Sequence, residues 1–528
     1  MKEKLKNFFS ERHTRYIQFP EINWKFFVIV MAVGFVMHSF RITQMINAVD
    51  DVSVLMKGYG AGTTSGRWGL DFLGFRVNYK WLIGSFNLSV FDGMLTLVFL
   101  SLSVCIILNL FHLQQSRLGL LFAVIFIAYP TCSATLLYMF TAAYYGFALF
   151  LAVLSVWCMK TGKKLYGCLA IIFIAFSLGL YQAYFPVMVT LCLFLVLDYF
   201  LDLDADMRVG LQKGFYYVFI LCLGLGLYFI ILDNRLNNLG TELSTYQNMN
   251  SMGQIQLSEL LGLLMRCYRI FLEFPLEIYL PVNTLAVTRN CLLVLYVICA
   301  ILGISSIRRQ KKWSCRIMAL LLMALVPVAV NLIEIMCSKS YIHVLMVYST
   351  VFVFLLPVLL WKKIEKEHGI SGLLFKVSGI VITFSFVITA LSYSWHANWN
   401  YVALDYMNRE TESYMTTLVT RIKSAKGYKD EYPVMFVGER GFSDQQFINP
   451  YSNYPELYFI TIQEANLVNA FSWRDAMTAY TGFICTTPSE HQWTEICGTK
   501  EFHEMSCYPD DGSVAVIDEV IVVKIAEQ

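Results

Sequence analysis

Long apolar runs separated by short polar stretches fill the chain as far as about residue 394. Runs near 25–43, 91–112, 118–136, 141–159, 165–181, 184–201, 215–233, 289–306, 314–335, 341–361 and 373–392 approach the roughly 20 residues that cross a bilayer as a helix. They predict a mainly α-helical polytopic membrane protein of about 11 transmembrane helices. Two runs meet at Tyr181-Gln182-Ala183-Tyr184 with little polar sequence between them, so that pair also reads as one long helix and a re-entrant piece.

Past Trp395 the pattern changes to that of ordinary soluble sequence. Pro433–Gly438 and Leu457–Ile462 read as strands, Trp473–Tyr480 as a helix and Gly512–Lys524 as a closing hairpin, which together predict a small α/β domain. The expected division is a membrane domain at 1–394 and a soluble domain at 395–528. No internal repeat, low-complexity tract or heptad run stands out.

Two connections are long for a compact protein, about 44–90 and about 234–288, and long ordered loops are usually functional. The first holds Gly58, Gly60, Gly62, Gly66, Gly69 and Gly74 among Trp68, Tyr79 and Trp81, which suggests tight turns and short interfacial helices. In the second, Leu260, Leu261, Leu264, Tyr268, Phe271 and Leu272 recur at helical spacing, as in a helix lying on the membrane surface.

Basic residues orient the chain. Lys2, Lys4, Lys6, Arg12, Arg15 and Lys25 precede the first run, Lys160, Lys163 and Lys164 follow the fourth, Arg308, Arg309, Lys311, Lys312 and Arg316 follow the eighth, and Lys362, Lys363 and Lys366 follow the tenth. All fall on one side if there are eleven spans, and the positive-inside rule makes that side cytoplasmic. Both long loops and the C-terminal segment are then outside. The segment Met1 to Lys25 is too long and polar for a signal n-region and reads as an uncleaved cytoplasmic stretch.

Composition agrees with the pattern: 57% hydrophobic residues, 15% charged and a mean hydropathy of +0.56 are wrong for a soluble globular protein. A net charge of +2 gives no argument for nucleic acid. Eleven of the fourteen cysteines lie before residue 340, mostly inside apolar runs, where a thiol behaves as a small hydrophobe. Cys485, Cys497 and Cys507 could form one disulfide outside the membrane, leaving one thiol over. There is no CxxC, P-loop, GxSxG, HExxH or kinase signature.

The candidate chemistry lies in the outward loops. Asp50-Asp51 follows the first span by about seven residues. One acid could take a proton from an attacking hydroxyl while the other orients the substrate or holds a divalent Mg or Mn ion; the plainer reading is a solvated helix cap. Arg67 brings a planar guanidinium suited to phosphate, with Lys57, Arg76 and Lys80 in the same loop, although snorkelling to anionic lipid accounts for at least two of these cations. Tyr181, Gln182 and Tyr184 can bind a sugar by stacking and hydrogen bonding, or can simply be part of an aromatic belt. Lys339 and His343, with Tyr341, can meet a lipid phosphate, though a lone His is more often structural. Glu334 and Asp233 are further acids at about the same depth.

The order of Asp50-Asp51, Gly66-Arg67-Trp68, Leu178-Gly179-Leu180-Tyr181-Gln182-Ala183-Tyr184 and the closing Tyr508-Pro509-Asp510-Asp511-Gly512-Ser513-Val514 resembles the bacterial Gtr type II glucosyl transferase family, within the broader GT-C membrane glycosyltransferases. The resemblance runs over nearly the whole chain. It implies transfer of a hexose, commonly glucose, from a polyprenyl-phosphate donor to a surface polysaccharide such as an O-antigen, on the outer face of the bacterial cytoplasmic membrane. It also implies that Asp50 and Asp51 stand at the reaction centre, with Arg67 on the donor phosphate and Gln182 lining the site. The rival readings are a polysaccharide polymerase or ligase, which would place key basic residues in a large later loop, and a flippase or transporter, which would show repeat symmetry and ionisable residues near the midplane.

Overall fold

A computed structural model describes residues 19–57, 62–74, 88–276, 286–368, 372–439, 466–469 and 471–527. Leu457–Ile462, Tyr79, Arg76, Lys80 and Trp81 lie outside the described residues.

The apolar runs are helices. α1 (Trp24–Thr43) starts on Asn23, whose side chain accepts hydrogen bonds from the Lys25 and Phe26 amides. It leads to the short α2 (Val49–Lys57), followed by α3 (Ser89–Leu110), α4 (Arg117–Ala128), α5 (Pro130–Leu137), α6 (Met139–Thr161), α7 (Lys164–Leu180), α8 (Phe185–Phe200) and α9 (Met207–Leu239). After the interfacial α10 (Leu260–Glu273) come α11 (Ala286–Arg309), α12 (Trp313–Val330), α13 (Leu332–Met336), α14 (Phe352–His368) and α15 (Leu373–Ser424). Nine helical stretches among the described residues are long and apolar enough to cross a membrane, with α4 and α5 counted as one, and α7 is a shorter apolar helix. The protein is a multi-pass, mainly helical membrane protein. Exposed Phe215, Phe219, Ile230, Val297, Leu321, Ile380 and Phe384 clad α9, α11, α12 and α15, as side chains solvated by lipid do.

Local chemistry sets the breaks inside the runs. Pro130 has no amide to continue α4 and opens α5 instead. The run expected over 314–335 divides at Asn331, whose side-chain amide donates to the Pro327 carbonyl at 3.0 Å and the Cys267 carbonyl at 3.1 Å. The run expected from 341 opens instead with two 3-10 turns, Val344–Met346 and Tyr348–Val351, and becomes α-helical only at Phe352. At the ambiguous junction, Tyr181 is extended (φ −157°, ψ 107°), so α7 and α8 are separate helices joined by the turn Gln182–Tyr184.

α15 runs unbroken for 52 residues through position 394. Contrary to the expectation of no heptad run, Tyr401, Leu404, Asn408, Thr411, Met415, Leu418 and Ile422 repeat at alternating intervals of three and four, and all are buried. Asn408 and Thr411 disguise the stripe in a hydropathy reading. The helix carries the chain into a layer in which β1 (Val434–Val437) lies parallel to β3 (Val520–Lys524), and β3 is antiparallel to β2 (Val514–Ile517). The expected closing hairpin is present, turning on Asp518 and Glu519 at φ 47° and 61°. Between β1 and β2 stand α16 (Trp473–Thr481), α17 (Glu490–Cys497) and α18 (Lys500–Glu504). No disulfide joins Cys485, Cys497 and Cys507 in this structure.

Val52 of α2 is buried in the same cluster as Tyr414, Met415 and Leu418 of α15, Phe436 of β1 and Trp473 of α16, whose ring stacks on Phe436 at 4.5 Å. The C-terminal layer is thereby fastened directly to the helix that bears the two acids.

Candidate active site

A five-residue connection after α1, Gln44 to Ala48, brings Asp50 and Asp51 into the first turn of α2, where carboxylates suit the positive end of the helix. The two acids have different surroundings. Asp50 is exposed and Asp51 is fully buried. One Asp51 oxygen accepts from the Ala48 amide at 2.9 Å and the other from the Phe140 amide at 3.4 Å. Behind it lies Arg41, equally buried in the last turn of α1, donating to the carbonyls of Gln44 and Leu137 at 3.3 Å each. Burial pushes the Asp51 carboxyl up from 3.8 to about 7, with Asp50 adding to the rise and the Arg41 charge and both amides opposing it.

This proton has a consequence for stability. The folded chain binds it more tightly than the unfolded chain, so Asp51's contribution is fully present below pH 3.8 and is lost as pH rises through about 7. The expected result is that the apparent Tm of the wild type in nanodiscs falls between about pH 5 and about pH 8 more steeply than that of Asp51→Asn, by a few degrees. Parallel pH profiles would show that Asp51 is ionised throughout.

Arg67 is presented by a tightly tied loop. Asp71 receives the Gly62 and Thr63 amides at 3.1 and 2.6 Å and the Thr63 hydroxyl. Gly66 sits at φ +75°, and the Gln182 side-chain amide donates to the Ser65 carbonyl at 2.9 Å and to the Tyr228 hydroxyl at 3.1 Å. Tyr228 in turn donates to the Gly66 carbonyl at 3.0 Å. Trp68 and Gly69 then dock on α7, where a Cβ on Gly179 would come within 2.4 Å of the Trp68 ring.

The Arg67 guanidinium thus points at α6 and the α7–α8 junction. It donates to the Tyr145 hydroxyl at 2.9 Å and lies 5.2 Å from the Tyr181 ring centre. Tyr145 and Tyr181 stack at 4.1 Å, and Tyr184 meets Tyr181 edge-on at 5.2 Å. Asp50 is near enough to act electrostatically on the Tyr145 hydroxyl. A cation and a carboxylate therefore flank one tyrosine.

Gly66→Ala is expected to dislodge Arg67. Its Cβ would stand 2.4 Å from the Gln182 amide nitrogen and 2.8 Å from the Tyr228 hydroxyl, at a φ that costs a non-glycine residue roughly 1 to 3 kcal/mol. Glycosyl transfer by the purified protein should fall by about tenfold or more. Unchanged transfer would mean that the loop does not need this geometry.

The remaining candidates are placed as follows. Tyr181, Gln182 and Tyr184 are all buried, so Gln182 serves the Arg67 loop and Tyr184 packs against Tyr348. His343 caps a 3-10 turn by accepting the Leu345 amide at 3.0 Å, and its ring meets Tyr138 and Tyr341 at 6.0 and 6.4 Å. Tyr138 lies two residues before Phe140, whose amide reaches Asp51, so this contact brings His343 to the same end of the bundle. Lys339 is exposed, and its carbonyl accepts from Asn248. Lys57 ends α2, but its side chain lies outside the described residues. Glu334 is buried and paired with Arg266 at 2.8 Å, while Asp233 accepts from Asn237 on the exposed side of α9. Neither is joined to the Asp50-Asp51 pair by these bonds.

Sequence reasoning missed Arg41, Tyr145 and Tyr228. A signal existed for Arg41, a charge set between Phe40 and Ile42 at the end of a membrane run, since such a charge is costly unless it has a task. Tyr145 and Tyr228 sit in apolar stretches with nothing local to separate them from core aromatics.

The profile of the Glucosyl transferase GtrII family matches residues 39–354, more than half of the 528-residue chain. The chain belongs to the GtrII glucosyl transferase family. The match begins two residues before Arg41, spans every part of the site just described, and ends inside α14, ahead of the C-terminal layer. No curated protein and no solved structure matches the chain. Membership makes glycosyl transfer the activity class of this GtrII protein and implies a sugar donor, an acceptor and a membrane setting.

A divalent cation would find few ligands at this site. Both Asp51 oxygens already take backbone amides and burial raises its carboxyl to about 7, which leaves Asp50 as the other carboxyl of the pair. Among the described residues, no group of three or more His, Cys, Asp or Glu side chains is placed to hold a metal ion.

Proposed function

We propose that this GtrII protein transfers glucose from a polyprenyl-phosphate donor to a cell-surface polysaccharide on the outer face of the bacterial cytoplasmic membrane, with its N-terminus cytoplasmic and residues 395–528 outside. The observation that carries this reading is the Arg67 guanidinium, held by Tyr145 and Tyr181, with Asp50 near enough to Tyr145 to act on it electrostatically. Nucleotide sugars are cytoplasmic, so an outward site needs a donor anchored in lipid.

The chemistry assigned to the side chains is a displacement at the anomeric carbon. An acceptor hydroxyl forms the new bond to that carbon as its bond to the phosphate oxygen breaks, and the polyprenyl phosphate leaves with the electron pair. Arg67 meets the charge that grows on the phosphate. Asp50 takes the hydroxyl proton, as the exposed acid of the pair. Asp51 stays buried beside Arg41 and braces the turn through the Ala48 and Phe140 amides.

The test supplies the full-length protein in nanodiscs with polyprenyl-phosphate-[14C]glucose and polysaccharide from cells lacking this chain. Label in the polysaccharide is the expected result. Absence of transfer with every lipid-linked hexose, together with movement of the labelled lipid across the bilayer, would replace the enzyme with a transporter.

A further inference from the structure

A depression lies between α15 and α16, in the C-terminal part of the chain. The last turns of α15 and the end of α16 border a shallow, solvent-open depression of about 600 Å³ lined by Thr416, Thr420, Lys423, Ser424, Tyr480 and Thr481, with Val419 at its side. Its lining has a consistent polarity. The hydroxyls of Thr416, Thr420, Ser424 and Thr481 donate to the carbonyls of Glu412, Thr416, Arg421 and Met477 at 2.8, 2.9, 3.1 and 2.6 Å. Their protons are spent on the helices, and what the oxygens offer a ligand is lone pairs. Lys423 adds an ammonium, 5.5 Å from the Phe483 ring centre.

A surface of four acceptors, one cationic donor, an aromatic ring and a Val methyl face suits a particular ligand chemistry. An anion would be repelled by the lone pairs and a lipid tail would leave them unsatisfied. A polyol can donate a hydroxyl proton to each oxygen, receive one from Lys423, and lay its C–H face on the tyrosine.

Tyr480 links the depression to the acids. Its hydroxyl donates to the Asn408 side-chain oxygen at 2.6 Å and receives the Asn47 side-chain amide at 3.3 Å. The Asn47 backbone amide bonds the same Asn408 oxygen at 2.8 Å, and Asn408 donates back to the Asn47 carbonyl at 2.9 Å. Asn47 stands four residues before Asp51, and Ser53 of α2 donates to Asp475 of α16 at 3.0 Å. One side chain thus borders the depression on one face and the turn bearing Asp50 and Asp51 on the other.

We propose that the α15–α16 depression is the acceptor subsite, binding a neutral sugar unit of the polysaccharide next to the unit that receives glucose. The proposal rests on the transfer reading above. It adds a specificity determinant in a part of the chain that the family match does not reach.

Two variants test it in the full-length protein. Thr420→Trp fills the depression from an exposed helix position, and Thr420→Val keeps the shape but removes one acceptor. With donor saturating, Thr420→Trp should raise the KM for the polysaccharide about tenfold and Thr420→Val by a few-fold, while the donor KM and kcat stay at wild-type values. Binding of fluorescein-labelled polysaccharide without donor should weaken in the same order. Wild-type acceptor KM and binding in both variants would overturn the subsite and leave transfer standing. A wild-type protein that binds polysaccharide, loses binding in Thr420→Trp and transfers no sugar would overturn the transfer reading instead. A wild type that does neither overturns both.

Discussion

Asp50→Asn is expected to lower glucose transfer by about 10² to 10⁴-fold, the usual worth of a positioned general base, with the donor KM little changed. Asn is nearly isosteric and the position is exposed, so the change removes the carboxylate charge without altering the packing volume. Asp51→Asn should behave differently. Its carboxyl is sequestered between two backbone amides and beside a buried Arg41, so the substitution acts on the packing of the turn rather than on a transferred proton. A second discriminator is pH: if Asp50 is the base, the wild-type kcat limb at low pH disappears in Asp50→Asn and persists in Asp51→Asn. Wild-type transfer by Asp50→Asn would remove this acid from the chemistry.

That distinction could not be read from the sequence, where the two acids are adjacent and equivalent. The membrane runs were legible because hydropathy reports directly on lipid exposure, and Arg41 was the one membrane charge that should have drawn notice. The division at Asn331 was hidden, because the side-chain hydrogen bonds that stop the helix there involve Cys267, 64 residues away. α15 shows the opposite failure. Hydropathy marks where the solvent changes near Trp395, but a helix can pass through that change when its buried stripe continues, and here the stripe includes Asn408 and Thr411. For the site, residue types pointed to Arg67 and Gln182 separately. Their connection through Ser65, 117 residues from Gln182, is a tertiary fact, and it shows the Gln182 amide holding the arginine loop.

The Arg67 assignment makes the other large prediction. In the donor, the bridging phosphate carries one negative charge, and the departing polyprenyl phosphate carries a second as the bond to the sugar breaks. A fixed cation therefore gains most in the transition state and should appear in kcat more than in KM. Arg67→Ala is expected to cost about 10² to 10³-fold in kcat with a smaller rise in donor KM. Arg67→Lys should recover only part of that loss. An ammonium can supply the charge, but it cannot at once bond the Tyr145 hydroxyl, lie against the Tyr181 face and present a planar pair of N–H groups to phosphate. Tyr145→Phe removes only the anchoring hydroxyl, so it should act through Arg67 with an effect of about tenfold and none in an Arg67→Ala background. Full transfer by Arg67→Lys would mean that charge alone matters at this position; full transfer by Arg67→Ala would move the phosphate to another part of the chain.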